Sequence, residues 1–164
     1  MTAADTAPLE ATLAAWAAAW RSASPTQVLA LWDKADRAAW YLPADSIDPY
    51  IGAAVVGYVQ RRCVAARTIG YRVRDAHLRR LHPDLGLAFF TLDWSQTTPD
   101  HPVPVGGSLR VTLLMRRTPE GWRVFHYAEA PLAPLLELQA FYEKVAAEGF
   151  AGMPRRDAET GAAS

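Results

Sequence analysis

The chain has 164 residues, 17 Lys and Arg balanced by 17 Asp and Glu, and a hydrophobic content of 51%, which is material for one packed core rather than for a disordered chain. Zero formal charge excludes the electrostatic footprint of a dedicated nucleic-acid binder. The single cysteine, Cys63, excludes an intrachain disulfide, and no Cys/His spacing matches a structural zinc site.

Residues 1–7 and 151–164 are small, polar or charged and lack apolar periodicity, so both are expected to be flexible tails around one domain, 8–150. From Pro8 to Arg21, Leu9, Leu13, Trp16 and Trp20 recur at spacings of four, three and four, which lines one face of a helix. The apolar run Ala11–Trp20 follows Asp5 and Glu10 instead of Lys or Arg and is too short to span a bilayer. Neither a signal peptide nor a membrane anchor is expected, and the expected location is cytoplasmic. Ser24-Pro25 supplies an N-cap and a first-turn proline for a short second helix carrying Val28, Leu29, Leu31 and Trp32.

Trp40–Leu42 reads as a brief strand stopped by Pro43, and a third helix is expected from about Ile51 to Ala66. After Thr68 the pattern turns β-rich. Strands are expected over Tyr71–Leu81, Gly86–Trp94, Leu109–Thr118 and Trp122–Tyr127, with turns at His82-Pro83-Asp84 and Thr118-Pro119-Glu120-Gly121 and a loop over Ser95–Ser108. Pro131 and Pro134 open a last helix whose apolar stripe is Leu135, Leu138, Phe141, Tyr142 and Val145. Helices followed by a four-stranded antiparallel meander and a terminal helix make an α+β fold. No internal repeat is visible.

Two stretches resemble the SnoaL-like branch of the nuclear transport factor 2-like superfamily. One is Trp40-Tyr41-Leu42-Pro43-Ala44 followed by the third helix through Ala53, Val55 and Tyr58. The other, Gly107-Ser108-Leu109-Arg110-Val111-Thr112-Leu113-Leu114-Met115-Arg116-Arg117 through Gly121-Trp122-Arg123-Val124-Phe125-His126, is similar to the family's closing hairpin. The resemblance covers roughly Leu9–Glu129. It implies a cone-shaped curved antiparallel sheet packed on N-terminal helices, with the C-terminal helix as an addition. It also implies an apolar pocket between the helices and the concave face, and chemistry that generally needs no cofactor. The superfamily carries isomerases, dehydratases, hydrolases, cyclases, lyases and binding modules on this one scaffold. Where ketosteroid isomerase, a distant relative, has an Asp-Pro base and an oxyanion-binding tyrosine, this chain has Leu42-Pro43 and Trp16, which argues against steroid isomerisation.

Alternation on the closing hairpin places Arg110, Thr112 and Leu114 on one face and Leu109, Val111, Leu113 and Met115 on the other. If the aliphatic face is a dimer interface, Arg110 and Thr112 look into the pocket, where an arginine would bind a carboxylate or phenolate. Otherwise Arg110 is a solvated residue paired with Asp93 or Glu129. His126, on the face of Trp122 and Val124, is a candidate acid or base or else a satisfied core histidine. Tyr58 is a candidate oxyanion donor or proton relay, or else an amphipathic wall residue. Asp93 is a candidate base or the counter-ion of Arg110.

Six tryptophans and six tyrosines supply an aromatic interior, in which Trp16, Trp20, Tyr41, Trp94 and Trp122 border the cone as substrate contacts or as plain core. His77, His82 and His101 are scattered without ligand spacing, so no metal is expected. No dinucleotide fingerprint, P-loop or nucleophile elbow occurs. The expected function is a cofactor-independent lyase or isomerase acting on an aromatic or polycyclic substrate. Within the family, the resemblance extends to the diarylpropane lyase type, which removes formaldehyde from a lignin-derived diaryl propanediol to leave a hydroxystilbene. The alternative is a non-catalytic ligand-binding or dimerisation module. A sheet apolar on both faces needs two covers, so a homodimer through the sheet is expected, with the terminal helix as the other possible cover.

Overall fold

Ala3–Arg21 forms the first helix, α1, in a computed structural model that describes residues 3–132 and 135–147. The helix begins five residues before the expected Pro8, because alanines at 3, 4 and 7 are strong helix formers and carry the helix through the stretch expected to be a tail. Leu9, Leu13, Trp16 and Trp20 are all buried on one side. Ser24 caps the short helix α2 (Pro25–Ala30), its hydroxyl accepting from the Gln27 amide at 3.4 Å, with Pro25 in the first turn.

Trp40–Leu42 is strand β1, and a two-residue strand β2 (Tyr50–Ile51) returns antiparallel to it. The third helix, α3, therefore starts later than expected and runs Ala53–Ala65. Gly52 sets that boundary: its φ is +53°, and a Cβ there would stand 2.7 Å from the Arg37 carbonyl oxygen.

Four long strands follow: β3 (Thr68–His82), β4 (Leu85–Thr97), β5 (Val105–Thr118) and β6 (Gly121–Pro131). They form the expected antiparallel meander, joined at the expected turns. The sheet is larger than that meander, however: six strands in the order β2-β1-β6-β5-β4-β3. β1 lies parallel to β6, pairing Trp40 with His126 and Tyr41 with Tyr127, so the sheet is mixed rather than purely antiparallel. A three-residue strand carries too little periodicity to reveal its partner from sequence.

The expected loop Ser95–Ser108 shrinks to residues 98–104, because β4 and β5 extend into it. Gly106 and Gly107 pair with Ser95 and Trp94 there, and a Cβ on Gly106 would stand 2.1 Å from the Trp94 carbonyl oxygen. Gly106→Ala is expected to destabilise the domain by about 1–3 kcal/mol, the range for overpacking a close contact, read as a lowered thermal midpoint. An unchanged midpoint would show that the strands separate freely at that position.

The inner face of the sheet packs against the helices. Ala88, Phe90 and Leu92 from β4, Leu109, Val111, Leu113 and Met115 from β5, and Val124 and Tyr127 from β6 are buried there with Trp16, Trp20 and Trp32. The unit containing residues 133–164 is separate and holds helix α4 (Leu135–Ala147), the expected last helix. The side chains of Leu135, Leu138 and Phe141, and the expected tail at 151–164, lie outside the described residues. Among the described residues, no helix is long and apolar enough to cross a membrane.

Candidate functional site

A cavity of about 140 Å³ opens between the inner face of the sheet and the helices. Its walls come from Trp20 on α1, Tyr41 on β1, Tyr58 and Arg62 on α3, Ile69 to Tyr71 on β3, Leu92 and Trp94 to Gln96 on β4, Leu109 on β5 and Glu129 on β6, with Ala44 and Asp45 at the β1 end. A void of this size accommodates roughly one aromatic ring.

The chemistry of the site centres on Glu129. Its Oε2 accepts from the Ala44 amide at 2.9 Å and its Oε1 accepts from the Tyr127 hydroxyl at 2.9 Å. The Tyr127 oxygen lies 2.8 Å from the Tyr71 oxygen, and the Trp16 indole N–H donates to Tyr71 at 3.2 Å. An ionised carboxylate can only accept, so Tyr127 gives its one proton to Glu129 and must accept from Tyr71, which in turn accepts from the Trp16 indole. Every proton in the chain points toward Glu129. Burial pushes the Glu129 carboxyl above the usual carboxylate range, and the bonds from Ala44 and Tyr127 only partly oppose this.

The tyrosines form a stack beside the acid. Tyr41 lies on Tyr127 with centroids 4.3 Å apart, Tyr58 is 5.0 Å from Tyr41, and Tyr50 is 4.6 Å from Tyr58. Burial raises the phenol pKa of Tyr41, Tyr58, Tyr71 and Tyr127, so all four stay protonated and available as hydrogen-bond donors.

Of the residues singled out from the sequence, Trp20, Tyr41, Tyr58 and Trp94 line this cavity. Trp16 is buried behind it as the first donor of the chain. Trp122 stands at the far end of the sheet near the β5–β6 turn, under the Arg80 guanidinium.

The other candidates are on the opposite face. Because Leu109, Val111, Leu113 and Met115 are all buried under the helices, the aliphatic face is the concave one, and Arg110 and Thr112 point away from the cavity. Arg110 donates to the Pro131 carbonyl at 3.5 Å, not to Asp93 or Glu129. Asp93 faces out as well and is bound by Arg74 at 2.6 and 2.8 Å and by the Ser108 hydroxyl at 2.7 Å. The hydrogen bonds from Arg74 and Ser108 hold its carboxyl down to about 2, which makes it a poor base.

His126 is turned outward by a bulge. Met115 pairs with Val124, yet Leu114 pairs with His126, so Phe125 is an extra residue in β6. Strict alternation from Val124 would send His126 inward and leave Tyr127 and Glu129 outside, and the bulge reverses all three. His126 instead packs edge-on against the Trp40 ring at 4.3 Å, and burial lowers its pKa. The sequence signal for the inner set is Tyr127-Ala128-Glu129, an acid two residues beyond an aromatic at a strand end. Alternation alone cannot locate the bulge that brings it into play. Tyr71 and Arg62 are likewise absent from the sequence-based set. Among the described residues, no group of three His, Cys, Asp or Glu is placed to hold a metal.

A family model described as the SnoaL-like domain matches residues 9–134. No curated protein matches the chain. Among solved structures, a proposed dehydratase of the nuclear transport factor 2-like family from Streptomyces avermitilis is similar at 18% identity and a TM-score of 0.72, covering 81% of this chain and 100% of its own. A proposed aromatic ring hydroxylase from Novosphingobium aromaticivorans is similar at 18% identity and a TM-score of 0.71, covering 82% and 93%. A proposed calcium/calmodulin-dependent protein kinase type II association domain from Thiobacillus denitrificans is similar at 26% identity and a TM-score of 0.60, covering 76% and 94%. The first two likenesses show the fold alone.

Proposed function

The chain belongs to the SnoaL-like domain family of the nuclear transport factor 2-like superfamily, and on that premise we propose that its cavity is the active site of a cofactor-independent lyase or isomerase for a small aromatic substrate. The observation that carries this reading is Glu129, a half-buried carboxylate at the end of a one-way chain of hydrogen-bond donors. Such a group is a general base whose raised pKa suits proton transfer near neutrality.

In the proposed reaction Glu129 takes a proton from a carbon of the substrate, and the electron pair of that C–H bond moves through the conjugated system onto its oxygen. Tyr58, whose phenol stays protonated, donates a hydrogen bond to that oxyanion. Return of the proton at another carbon completes an isomerisation, whereas expulsion of a leaving group completes a lyase reaction. Deformylation of a diaryl propanediol is the finer form of the proposal. Glu129 there takes the primary hydroxyl proton, the C–C bond breaks to release formaldehyde, and its electron pair forms the stilbene double bond as the benzylic hydroxyl leaves and takes up the proton as water. With space for about one ring, the second ring of such a diol would remain at the mouth.

The test is incubation in D2O with diaryl propanediols, stilbenes, single-ring aryl ketones, steroids and polyketide aromatics, followed by mass spectrometry. Turnover or deuterium uptake in one aromatic class is the expected result. Ligands that quench tryptophan fluorescence yet emerge unchanged would overturn the enzyme reading in favour of a binding module.

A second reading, self-association, is favoured by the outer face of the sheet. Phe89 is 43% exposed there, directly opposite Thr112 across the strands, and Leu87 opposite Leu114 is half-buried. We expect a homodimer through this face by light scattering at micromolar concentration, and Phe89→Arg is expected to yield monomers. A monomeric wild type would defeat this expectation.

A further inference from the structure

Arg62 gives the cavity a charge preference, and we propose that the ligand is a single-ring aromatic carboxylate whose anionic group is held by this guanidinium. The inference rests on the cavity being a ligand site, as in the reading above, and adds the chemical class of the ligand.

Arg62 follows Tyr58 by one turn of α3, which sets both side chains on the same helix face. It is half-buried and lines the cavity. Its positive charge reaches the Tyr58 phenol and the Glu129 carboxyl, where it opposes the effect of burial. Even so, no protein carboxylate within the described residues comes into ion-pair range of Arg62, although the exposed Asp45 lines the same mouth. Arg74 and Arg116 behave differently: Asp93 binds the first, and Asp33 and Asp36 the second. A planar guanidinium left open at a cavity mouth matches a carboxylate bidentately.

The open guanidinium of Arg62, aromatic walls from Trp20, Tyr41, Tyr58 and Trp94, and space for one ring together describe a flat ligand carrying an anionic group.

The experiment compares benzoate with benzamide, a neutral isostere, by quenching of intrinsic tryptophan fluorescence at neutral pH. It uses the full chain as wild type, Arg62→Gln and Arg62→Lys, with circular dichroism reporting that each variant is folded. Wild type is expected to bind benzoate roughly tenfold or more tighter than benzamide, a charge-assisted preference worth about 1.4 kcal/mol. Arg62→Gln is expected to abolish the preference while keeping benzamide affinity, and Arg62→Lys to retain part of it. Equal affinities in wild type, no binding of either probe, or a preference that survives Arg62→Gln would overturn the proposal. Benzoate reports binding alone, so a selective cavity that turns over no compound in the D2O panel would sink the catalytic reading and leave this one standing. Turnover without benzoate preference would do the reverse.

Discussion

Replacing Glu129 with glutamine is expected to lower turnover of the processed aromatic by about 10²- to 10⁴-fold, the usual contribution of a positioned general base. Glutamine has the same shape and the hydrogen-bonding groups of the neutral acid: its carbonyl accepts from the Ala44 amide, while the bond accepted from Tyr127 is lost. The loss should therefore fall on kcat and leave ligand binding nearly unchanged.

Two pH signatures separate this outcome from simple misfolding. Burial raises the Glu129 pKa, so wild-type activity should climb with pH through that raised value as the base deprotonates, and the limb should vanish in the variant. Stability runs the opposite way. A carboxyl whose folded pKa lies above its unfolded value is neutral in both states at low pH, and the fold loses stability as pH rises through the folded pKa. Glu129→Gln should accordingly match wild type in thermal midpoint below the ordinary carboxylate range and exceed it at neutral pH. A variant that keeps full activity would remove Glu129 from the mechanism, and one that is less stable at neutral pH would contradict the cost that burial places on its charge.

Trp16→Ala is expected to cost about 3–5 kcal/mol of stability, the range for emptying a buried tryptophan site. At roughly 2–4 °C per kcal/mol for a chain of this length, the thermal midpoint should fall by about 6–20 °C. Trp16 is fully buried and touches the Trp20, Trp32 and Tyr127 rings at centroid distances of 5.7–6.2 Å, so its loss leaves a large void with several unsupported walls. It also removes the donor that orients the Tyr71 hydroxyl. Trp16→Phe, which fills most of the space but lacks the N–H, should recover much of the stability. It should still shift the pH limb of activity, because the Tyr71 hydroxyl loses the donor that polarises it toward Tyr127 and Glu129. A fall of less than about 2 °C in the alanine variant would show that the aromatic cluster collapses around the gap.

The contrast between Glu129 and the candidates on β4 to β6 shows where sequence reading stops. Asp93, Arg110, Thr112 and His126 are the polar residues that stand out in apolar strands, and all four face outward. The acid that faces inward sits at the strand end, next to a tyrosine, and looks like an unremarkable rim residue. Its placement depends on a single extra residue at Phe125. Since strand side chains alternate with period two, one inserted residue exchanges the inner and outer sets from that point onward.

By contrast, the spacing of Leu9, Leu13, Trp16 and Trp20, the Ser24-Pro25 cap and the two hairpin turns are local signals, and they gave α1, α2 and the order of the meander directly. The residues around Tyr41 and from Leu109 to His126 carried the family, and with it the curved sheet over helices. Local energetics, namely helix periodicity, capping and turn chemistry, act over a few neighbours and can therefore be read in one dimension. The parallel pairing of β1 with β6, the choice of Leu109 over Arg110 for the concave face, and the convergence of Glu129, Tyr127, Tyr71 and Arg62 were decided only in three dimensions. They join residues far apart in the chain, and burial against the α1 tryptophans selects which strand face turns inward.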